Sequence, residues 1–367
     1  MSTLRSKLAH LDAVGSVPRW RAVARALALP FEHRLGRGRA ARPLALTWEI
    51  TNRCNLDCSF CFLQPELLNG DTDELSTGEA LAVVDAAARL GAGLYLTGGE
   101  PLVRADLAEI VERARARRVR VGLNTNGVLL AGERGRRLLD ARPTFLLVSP
   151  HSLDAGTATG ASERDGLEYV ARHRNGTRVL LNCVLPHADT ERVVALAREL
   201  ALDGVTFQHP TLFTPRLRAE HARAWTFHTG EPDPGLTAPD VPPGAFTRPA
   251  FLPSSNGIPV WVKPDLDANE LATWYGDGAT TIEARCHYPW TDLRVLADGR
   301  VVFCQFIQRA LGNVRDRPLE AIWNSPDFRK LRLALDAAGG SYPGCARCCK
   351  LYRATSRRVT AAAPAAR

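Results

Sequence analysis

Residues 44–62 read LALTWEITNRCNLDCSFCF, an apolar run that is followed at once by three cysteines. The apolar run predicts a buried β-strand over residues 44–50. Cys54, Cys58 and Cys61 form a CxxxCxxC loop directly after that strand. In α/β folds with parallel strands the functional groups lie at the carboxyl ends of the strands. The stretch therefore predicts a fold and the position of a site together.

Short apolar runs and segments of helical period alternate from residue 44 to residue 209. Strands are predicted near residues 44–50, 92–96, 119–124, 144–149, 177–184 and 204–208, and helices near 75–90, 104–118, 132–141, 163–173 and 189–202. Six such units joined by right-handed crossovers predict an α/β fold, a partial (β/α)6 TIM-like barrel.

The rhythm breaks after residue 209. Prolines and glycines then become frequent, which predicts an irregular insertion or linker. Further on, TDLRVLADGRVVFC predicts a β-hairpin that turns at Asp298-Gly299, with helices after it at 318–324 and 326–338. The predicted organisation is a basic extension at 1–43, a core at 44–209, the insertion at 210–283, a small C-terminal hairpin-plus-helix unit at 284–352, and a basic tail at 353–367 that we expect to be disordered.

Composition and charge exclude several classes of protein. With 367 residues, 45% of them hydrophobic, the chain is long enough to bury a large core. The net charge of +8 comes from the ends, because residues 1–43 and 350–367 carry most of the excess and leave residues 44–349 at −4. A body that binds nucleic acid is not indicated. No apolar run reaches the roughly 18 residues of a membrane span, and no signal peptide is visible. We therefore expect a cytoplasmic protein whose nine cysteines are metal ligands or catalytic groups.

The cysteine loop and a second motif, LTGGEP at residues 96–101, together resemble the radical S-adenosylmethionine (radical SAM) superfamily. Three thiolates on one loop can bind three irons of a four-iron cluster and leave one iron open. The resemblance implies a [4Fe-4S] cluster on the loop whose open iron binds S-adenosylmethionine. A zinc loop is the alternative, but no fourth His or Cys follows within the next twenty residues. The implied cluster ligands are Cys54, Cys58 and Cys61, and the implied cofactor contacts are Phe60, Gly98, Gly99, Glu100 and Pro101.

Polar residues at three later strand ends also fit a cofactor site. They are Asn124, Thr125 and Asn126 after the third strand, Ser149 after the fourth, and Asn182 on the fifth. We expect them to contact the ribose or the methionyl carboxylate of S-adenosylmethionine. The alternative for each is an ordinary hydrogen bond within a loop.

A second set of cysteines resembles the twitch or truncated SPASM extension of the same superfamily. The set is Cys286, Cys304, Cys345 and Cys348, in the order cysteine, hairpin, cysteine and CxxC. The resemblance implies that these four thiolates bind one auxiliary [4Fe-4S] cluster, and a zinc ribbon is the alternative. The neighbouring Cys349 could replace Cys348 as the last ligand.

The resemblance implies an enzyme that cleaves S-adenosylmethionine to a 5′-deoxyadenosyl radical and removes a hydrogen atom from its substrate. We expect the auxiliary cluster to oxidise the substrate radical, which gives a dehydrogenation or a new bond. Epimerisation is the alternative if Cys183 or Cys349 returns a hydrogen atom. A non-catalytic iron–sulfur carrier or a zinc-bound interaction module is the reading from another class.

The substrate and partners are argued mainly from what is absent. Only 43 residues precede the predicted barrel, fewer than a leader-peptide-binding domain needs, so a small sugar-like or natural-product metabolite is favoured over a ribosomal peptide. We expect an electron donor of flavodoxin or ferredoxin type and no nucleic acid. Within the extension, PRWRAVARALALPFEHRL predicts an amphipathic helix that docks on the barrel, with a membrane or a carrier as the alternatives.

Overall fold

Ten strands of the computed structural model form one sheet, and two more form a separate two-stranded antiparallel sheet. The structure describes residues 15, 17–58, 61, 73–153, 157–185, 189–211, 213–237, 257–276, 280–282, 285–348 and 359–361. The strands are β1 (Ala45–Thr51), β2 (Gly93–Gly98), β3 (Val121–Thr125), β4 (Phe145–Val148), β5 (Arg178–Val184), β6 (Gly204–Gln208), β7 (Val260–Lys263), β8 (Thr280–Ile282), β9 (Asp292–Val295), β10 (Arg300–Val302), β11 (Ala310–Asn313) and β12 (Val359–Ala361).

The helices alternate with the strands through the first half of the chain. They are α1 (Arg19–Leu35), α2 (Thr77–Leu90), α3 (Leu107–Ala116), α4 (Glu133–Asp140), α5 (Ala158–His173), α6 (Thr190–Glu199), α7 (Pro215–Thr229), α8 (Ala268–Tyr275), α9 (Tyr288–Thr291), α10 (Leu319–Trp323) and α11 (Pro326–Ala337), with 3-10 turns at Pro101–Val103 and Pro343–Arg347. Within the described residues, no helix combines the length and the hydropathy that crossing a bilayer requires.

The strand order is β11-β10-β9-β1-β2-β3-β4-β5-β6-β7. Every neighbour from β9 through β1 to β7 is parallel, and β10 is antiparallel to both β9 and β11. Among the described strands the two edges β7 and β11 do not pair, so the sheet stays open. The fold is thus the predicted partial barrel, with the predicted C-terminal hairpin attached to its first strand.

The six predicted strands lie within two residues of their expected ends. Helix α5 differs more, because the Thr157 side chain accepts a hydrogen bond from the Gly160 amide and starts the helix at Ala158. The insertion is also less irregular than its composition predicts. Helix α7 begins with a Thr214 cap and Pro215, and it ends at Gly230 with φ 70°. These are ordinary start and stop signals in a Pro/Gly-rich background.

The two faces of the sheet have different surroundings. Leu181 and Cys183 of β5 belong to the large core between sheet and helices, together with Phe207 of β6. The neighbouring Leu180 belongs to a small apolar cluster on the opposite face, with Phe145, Leu147 and Trp261. Because side chains alternate along a strand, Asn182 shares the face of Leu180. This second face is the concave side of the partial barrel, where the site is expected.

A buried arginine joins the N-terminal extension to the C-terminal unit. The fully buried guanidinium of Arg332 on α11 donates to the carbonyl oxygens of Pro289, Gly38 and Trp323 at 2.7–3.0 Å. It also donates to the Asn324 side chain at 2.9 Å and lies over two aromatic rings. Burial lowers the pKa of Arg332 to about 9. The hydrogen bonds therefore offset a considerable desolvation cost.

We expect Arg332→Met to lower the free energy of unfolding by about 3 kcal/mol, because buried carbonyl groups would lose their donor. Arg332→Lys should recover little of this lost stability, because a single ammonium group cannot reach all the acceptors that lie around the planar guanidinium. Thermal unfolding followed by circular dichroism measures the change. Lys330→Met on the same helix is the control, because Lys330 is half-exposed and makes one surface ion pair. Equal unfolding temperatures for the Arg332 and Lys330 variants would contradict the structural role.

Candidate active site

The two glycines of the GGEP motif hold the stem of the cysteine loop. The Gly99 amide donates to the Thr51 carbonyl at 2.9 Å, and the Glu100 amide donates to the Arg53 carbonyl at 2.8 Å. A Cβ on Gly98 would lie 2.3 Å from the Thr51 oxygen, and one on Gly99 would lie 2.2 Å from the Arg53 oxygen. Gly98 also has φ 121°. Only glycine permits this close approach of the two backbones. The approach fixes the position of the chain at Arg53, one residue before Cys54.

Glu100 faces the protein interior and organises the next strand end. It is 1% exposed, and its Oε1 accepts from the Thr125 hydroxyl at 2.8 Å and from the Leu102 amide at 3.0 Å. Its Oε2 accepts from the Asn126 amide at 2.7 Å. The Asn126 side chain then donates to Asn55 in the cysteine loop at 2.8 Å. Glu100, Thr125 and Asn126 thus tie the ends of β2 and β3 to the cysteine loop.

The three loop cysteines lie close to one another and are partly exposed. Burial is the main cause that raises the pKa of Cys58 to about 11, and the nearby Cys61 and Cys54 thiols add to it. Burial also raises the pKa of Cys54, while backbone hydrogen bonds at Leu56 and Asn55 act against the rise. Thiolates held this close repel one another unless a positive charge joins them. Thiol donors with amide N–H support suit an iron–sulfur cluster.

A histidine from the β4–α5 loop contacts Cys58 of the cysteine loop. Its ring nitrogens lie 3.8 Å and 3.7 Å from Cys58 Sγ, which places His151 against the loop. The fully buried Glu163 of α5 fixes this position, because its carboxylate accepts from the amides of His151, Ser152 and Leu153 at 2.7–3.1 Å. Neither His151 nor Glu163 was predicted from the sequence.

Three polar residues form a row on the concave face of the sheet. The Ser149 hydroxyl donates to Asn124 Oδ1 at 3.1 Å, and the Asn182 amide donates to Ser149 Oγ at 3.2 Å. The structure therefore brings these three predicted residues together across β3, β4 and β5. Thr125 and Asn126 do not join the row, since they bind Glu100. Pro101 is buried at the start of a 3-10 turn.

The C-terminal cysteines meet at the edge of the large core. Cys286, Cys304, Cys345 and Cys348 all pack against it and are partly exposed. Burial raises the pKa of Cys345 to about 12, with a further contribution from Cys304. Burial likewise raises the pKa of Cys286 well above its ordinary value, and Cys345 and Cys304 add to it.

Backbone amides support this second set as well. The Ile307 amide donates to Cys304 Sγ at 3.2 Å, and the Cys348 amide donates to the Cys345 carbonyl at 3.0 Å. In the part of the chain that the structure describes, no three His, Cys, Asp or Glu side chains are arranged to hold a single metal ion. A four-iron cluster holds its thiolate ligands farther apart than a single metal ion does. The thiols therefore remain suitable as the ligands of a cluster.

An internal ion pair connects the two halves of the site. Strand β9 pairs in parallel with β1, from Ala45 opposite Asp292 to Trp48 opposite Val295. On these adjacent strands Glu49 and Arg294 are 2% exposed, and the Arg294 Nε donates to the Glu49 carboxylate at 2.8 Å. Burial raises the pKa of Cys304, and backbone hydrogen bonds and the nearby Arg294 act against that rise. Both charged residues interrupt apolar strand sequences. A charged residue inside such a run is a sequence signal for a buried ion pair.

The remaining predicted residues fall into two groups. Cys183 is 3% exposed on the helix-facing side of β5, where burial raises its pKa to about 12. It packs as a core residue there, and it also lines a small cavity of about 70 Å³ together with Ser149 and Asn182. Phe60 and Cys349 lie outside the described residues.

Comparisons with known proteins agree with this geometry. A family model described as the radical SAM superfamily matches residues 48–213, and a model described as an iron-sulfur cluster-binding domain, SPASM, matches residues 286–349. GTP 3′,8-cyclase 2 of Mycobacterium tuberculosis is 31% identical over 83% of this chain and 91% of its own length. PqqA peptide cyclase of Gluconobacter oxydans is 29% identical over 79% of each chain.

Two further similarities are narrower. Fe-coproporphyrin III synthase of Methanosarcina barkeri is 36% identical over 105 residues, which span 28% of this chain and 26% of that protein. The crystal structure of Streptococcus suis SuiB superposes with a TM-score of 0.57 over 96% of this chain and 86% of SuiB. At 14% identity, this second likeness concerns the fold.

The fold and the motifs define a class of S-adenosylmethionine-dependent iron–sulfur enzymes. The chain belongs to the radical SAM superfamily and carries a SPASM domain. Its cofactors are therefore S-adenosylmethionine, a [4Fe-4S] cluster with one open iron and an auxiliary [4Fe-4S] cluster.

Glu100 should make stability depend on pH. Burial raises its pKa to about 7 from 4.5, so the folded chain binds a proton that the unfolded chain releases in between. The contribution of Glu100 to stability is largest at low pH and falls as pH rises toward 7. We expect the unfolding temperature of the wild type, relative to Glu100→Gln, to fall between about pH 4.5 and pH 7 and to level off above that range. The exposed Glu109→Gln is the control. A difference that is flat or rises with pH would refute the assignment.

His151 should affect the cluster on the cysteine loop. An N–H group that points at a ligand sulfur stabilises the more negative, reduced cluster. We expect His151→Ala to shift the midpoint potential of this cluster to a more negative value, and His151→Gln to restore part of the shift. A redox titration followed by electron paramagnetic resonance measures it, with the exposed His173→Ala as control. Unchanged potential in His151→Ala would show that the contact carries no hydrogen bond to the bound cluster.

Proposed function

We propose that this chain is a radical SAM oxidoreductase that acts on a small sugar-like or natural-product metabolite. It removes a hydrogen atom from an unreactive C–H bond and passes one electron from the substrate radical to the auxiliary cluster. The product is a dehydrogenated or newly bonded molecule. In this proposal the cysteines of the loop and of the C-terminal unit are the cluster ligands: Cys54, Cys58 and Cys61 for the first cluster, and Cys286, Cys304, Cys345 and Cys348 for the auxiliary cluster.

The bound cofactors would supply the radical chemistry. Held at the cysteine loop, S-adenosylmethionine and its cluster would supply the radical that takes the substrate hydrogen, and a cluster held by Cys286, Cys304, Cys345 and Cys348 would supply the acceptor for the remaining electron as the substrate releases a proton. The protein supplies position and protection from water. The apolar cluster of Phe145, Leu147, Leu180 and Trp261 on the concave face would exclude water.

The polar row would orient the cofactor or the substrate within that apolar surface. Asn124, Ser149 and Asn182 already bind one another, so their rotamers are fixed before a ligand arrives. Such preorganisation lowers the entropy lost on binding. The ties from Glu100 to Thr125 and Asn126 would keep the cysteine loop at a fixed height above the row.

The observation that carries the oxidative outcome is the pairing of β1 with β9. It makes the C-terminal hairpin a direct continuation of the sheet that bears the cysteine loop. The internal Glu49–Arg294 pair lies at this junction, and Arg294 also influences Cys304. A substrate above the concave face would therefore lie between the two cysteine sets. Epimerisation would instead need a hydrogen donor beside the substrate. Of the two candidate donors, Cys183 is 3% exposed and packs in the core, and Cys349 lies outside the described residues.

The substrate class rests on the relatives. One long match is with a cyclase named for the nucleotide GTP, which is a small molecule. A second candidate is a peptide-modifying enzyme, because another long match is with a peptide cyclase and SuiB is seen with a precursor peptide. The proposal also includes a flavodoxin or ferredoxin as electron donor and a cytoplasmic location.

Separate substitution of the two cysteine sets tests the proposal. In reconstituted protein with dithionite, we expect Cys54→Ala, Cys58→Ala or Cys61→Ala to abolish release of 5′-deoxyadenosine. Cys304→Ala should lower the iron content by about half and retain cleavage, but it should prevent substrate oxidation. Chromatography of 5′-deoxyadenosine and iron analysis measure both effects. Cys183→Ala is the control, since a buried packing residue should not affect cleavage.

The opposite pattern would be decisive. Full cleavage without the loop thiols would exchange the roles of the two cysteine sets. Zinc in place of iron, with no cleavage, would end the enzymatic proposal. Solvent deuterium in an otherwise unchanged product would indicate epimerisation, and turnover of a peptide alone would favour the second candidate.

A further inference from the structure

Helix α1 docks on the protein through its polar side. Arg25 is 6% exposed, and it donates to both carboxylate oxygens of Glu32 and to the Trp290 carbonyl at 2.6 Å. His33 hydrogen-bonds Asp336 at 2.7 Å and His287 at 2.9 Å. These contacts bind the helix to α9 and α11 of the C-terminal unit. The polar side chains that a surface helix normally turns outward are here used inward.

The opposite side of α1 is apolar and faces away from the protein. Its side chains recur every three or four residues along about 25 Å of helix. They are five of the seven large hydrophobic residues that the structure shows exposed: Trp20 at 70%, Val23 at 41%, Leu27 at 70%, Phe31 at 68% and Leu35 at 75%. We call these five residues the α1 face. A contiguous apolar surface of this kind marks a contact with another body.

Arginines surround the α1 face. Arg34 lies within the helix, and the exposed Arg37, Arg39 and Arg42 follow it directly. Over residues 17–43 the chain has seven arginines and one acidic residue, Glu32, which is already paired with Arg25. An apolar face of Trp, Phe and Leu with a basic border is the composition of helices that lie in the interface of an anionic membrane.

We infer that the α1 face binds the surface of an anionic lipid bilayer and holds the enzyme there without crossing it. Trp20, Leu27 and Phe31 enter the boundary between headgroups and acyl chains. The bordering arginines remain at the level of the lipid phosphates. The hydrogen bond from Arg25 to the Trp290 carbonyl and the contacts of His33 with Asp336 and His287 keep the helix attached to the catalytic body.

Two other occupants fit the observations less well. A second copy would bring one basic border against another, and like charges at an interface oppose association. A polypeptide partner that binds through apolar side chains is usually held in a groove or added to a sheet edge. The side chains of the α1 face project from the surface instead, with Phe31 at 68% exposure. A fluid bilayer interface accommodates such a projecting ridge.

Flotation of the full reconstituted chain with lipid vesicles tests this inference. We expect co-flotation with phosphatidylcholine vesicles that contain about 30% phosphatidylglycerol, and weak binding to pure phosphatidylcholine or in about 0.5 M salt. The double variant Leu27→Glu, Phe31→Glu should reduce partitioning about tenfold or more. Both positions are exposed, so the fold should not suffer, and unchanged 5′-deoxyadenosine release checks this. Phe227→Glu is the matched control, because Phe227 is 83% exposed on α7.

Three outcomes would overturn the inference. They are absence of binding to the anionic vesicles, equal binding of the double variant and the wild type, and binding that ignores lipid charge. Sedimentation velocity identifies the main rival: a dimer that the double variant dissociates, without vesicle binding, would assign the α1 face to a second copy.

Discussion

The close approach of two backbones where β1 and β2 end is the constraint on which the site depends. The amides of Gly99 and Glu100 bind the carbonyls of Thr51 and Arg53, and no side chain fits at either glycine. This contact fixes the direction in which the chain leaves β1, immediately before the first cysteine. Glu100 then carries the constraint sideways to β3 through buried hydrogen bonds. The position of the chain where it enters the cysteine loop is thus set by the sheet.

The same first strand also positions the C-terminal cysteines. Because β9 pairs with β1 and β10 pairs with β9, the sheet that leads into the cysteine loop also carries the hairpin that leads to Cys304. The buried pair of Glu49 and Arg294 stands at this junction. A buried ion pair of this kind gains little net stability, since desolvation offsets the attraction. It does disfavour a shifted register, because a slip of β9 by one residue would turn Arg294 to the opposite face of the sheet and leave the buried Glu49 without its partner.

Much of this arrangement could be predicted from the sequence. The strands follow from apolar runs, and the hairpin follows from Asp298-Gly299. The positions of the two cysteine sets after their strands follow from spacing. The partners of Glu100 could not be predicted, because a GGEP motif indicates a turn without showing where its carboxylate points. Glu163 was likewise out of reach, since its three amide partners lie ten to twelve residues away in a loop without a distinctive pattern. Helix α7 was not predicted, because the prolines around it indicated an irregular segment.

The described residues of the N-terminal extension make contacts with the C-terminal end of the chain. The carbonyl of Gly38 completes the set of acceptors around Arg332, and His33 reaches Asp336 and His287, the neighbour of Cys286. A protein truncated at the apparent domain boundary before β1 would therefore lose the contacts that cover one side of the C-terminal unit. Its effects would be felt beside the auxiliary cysteines, more than two hundred residues later in the sequence.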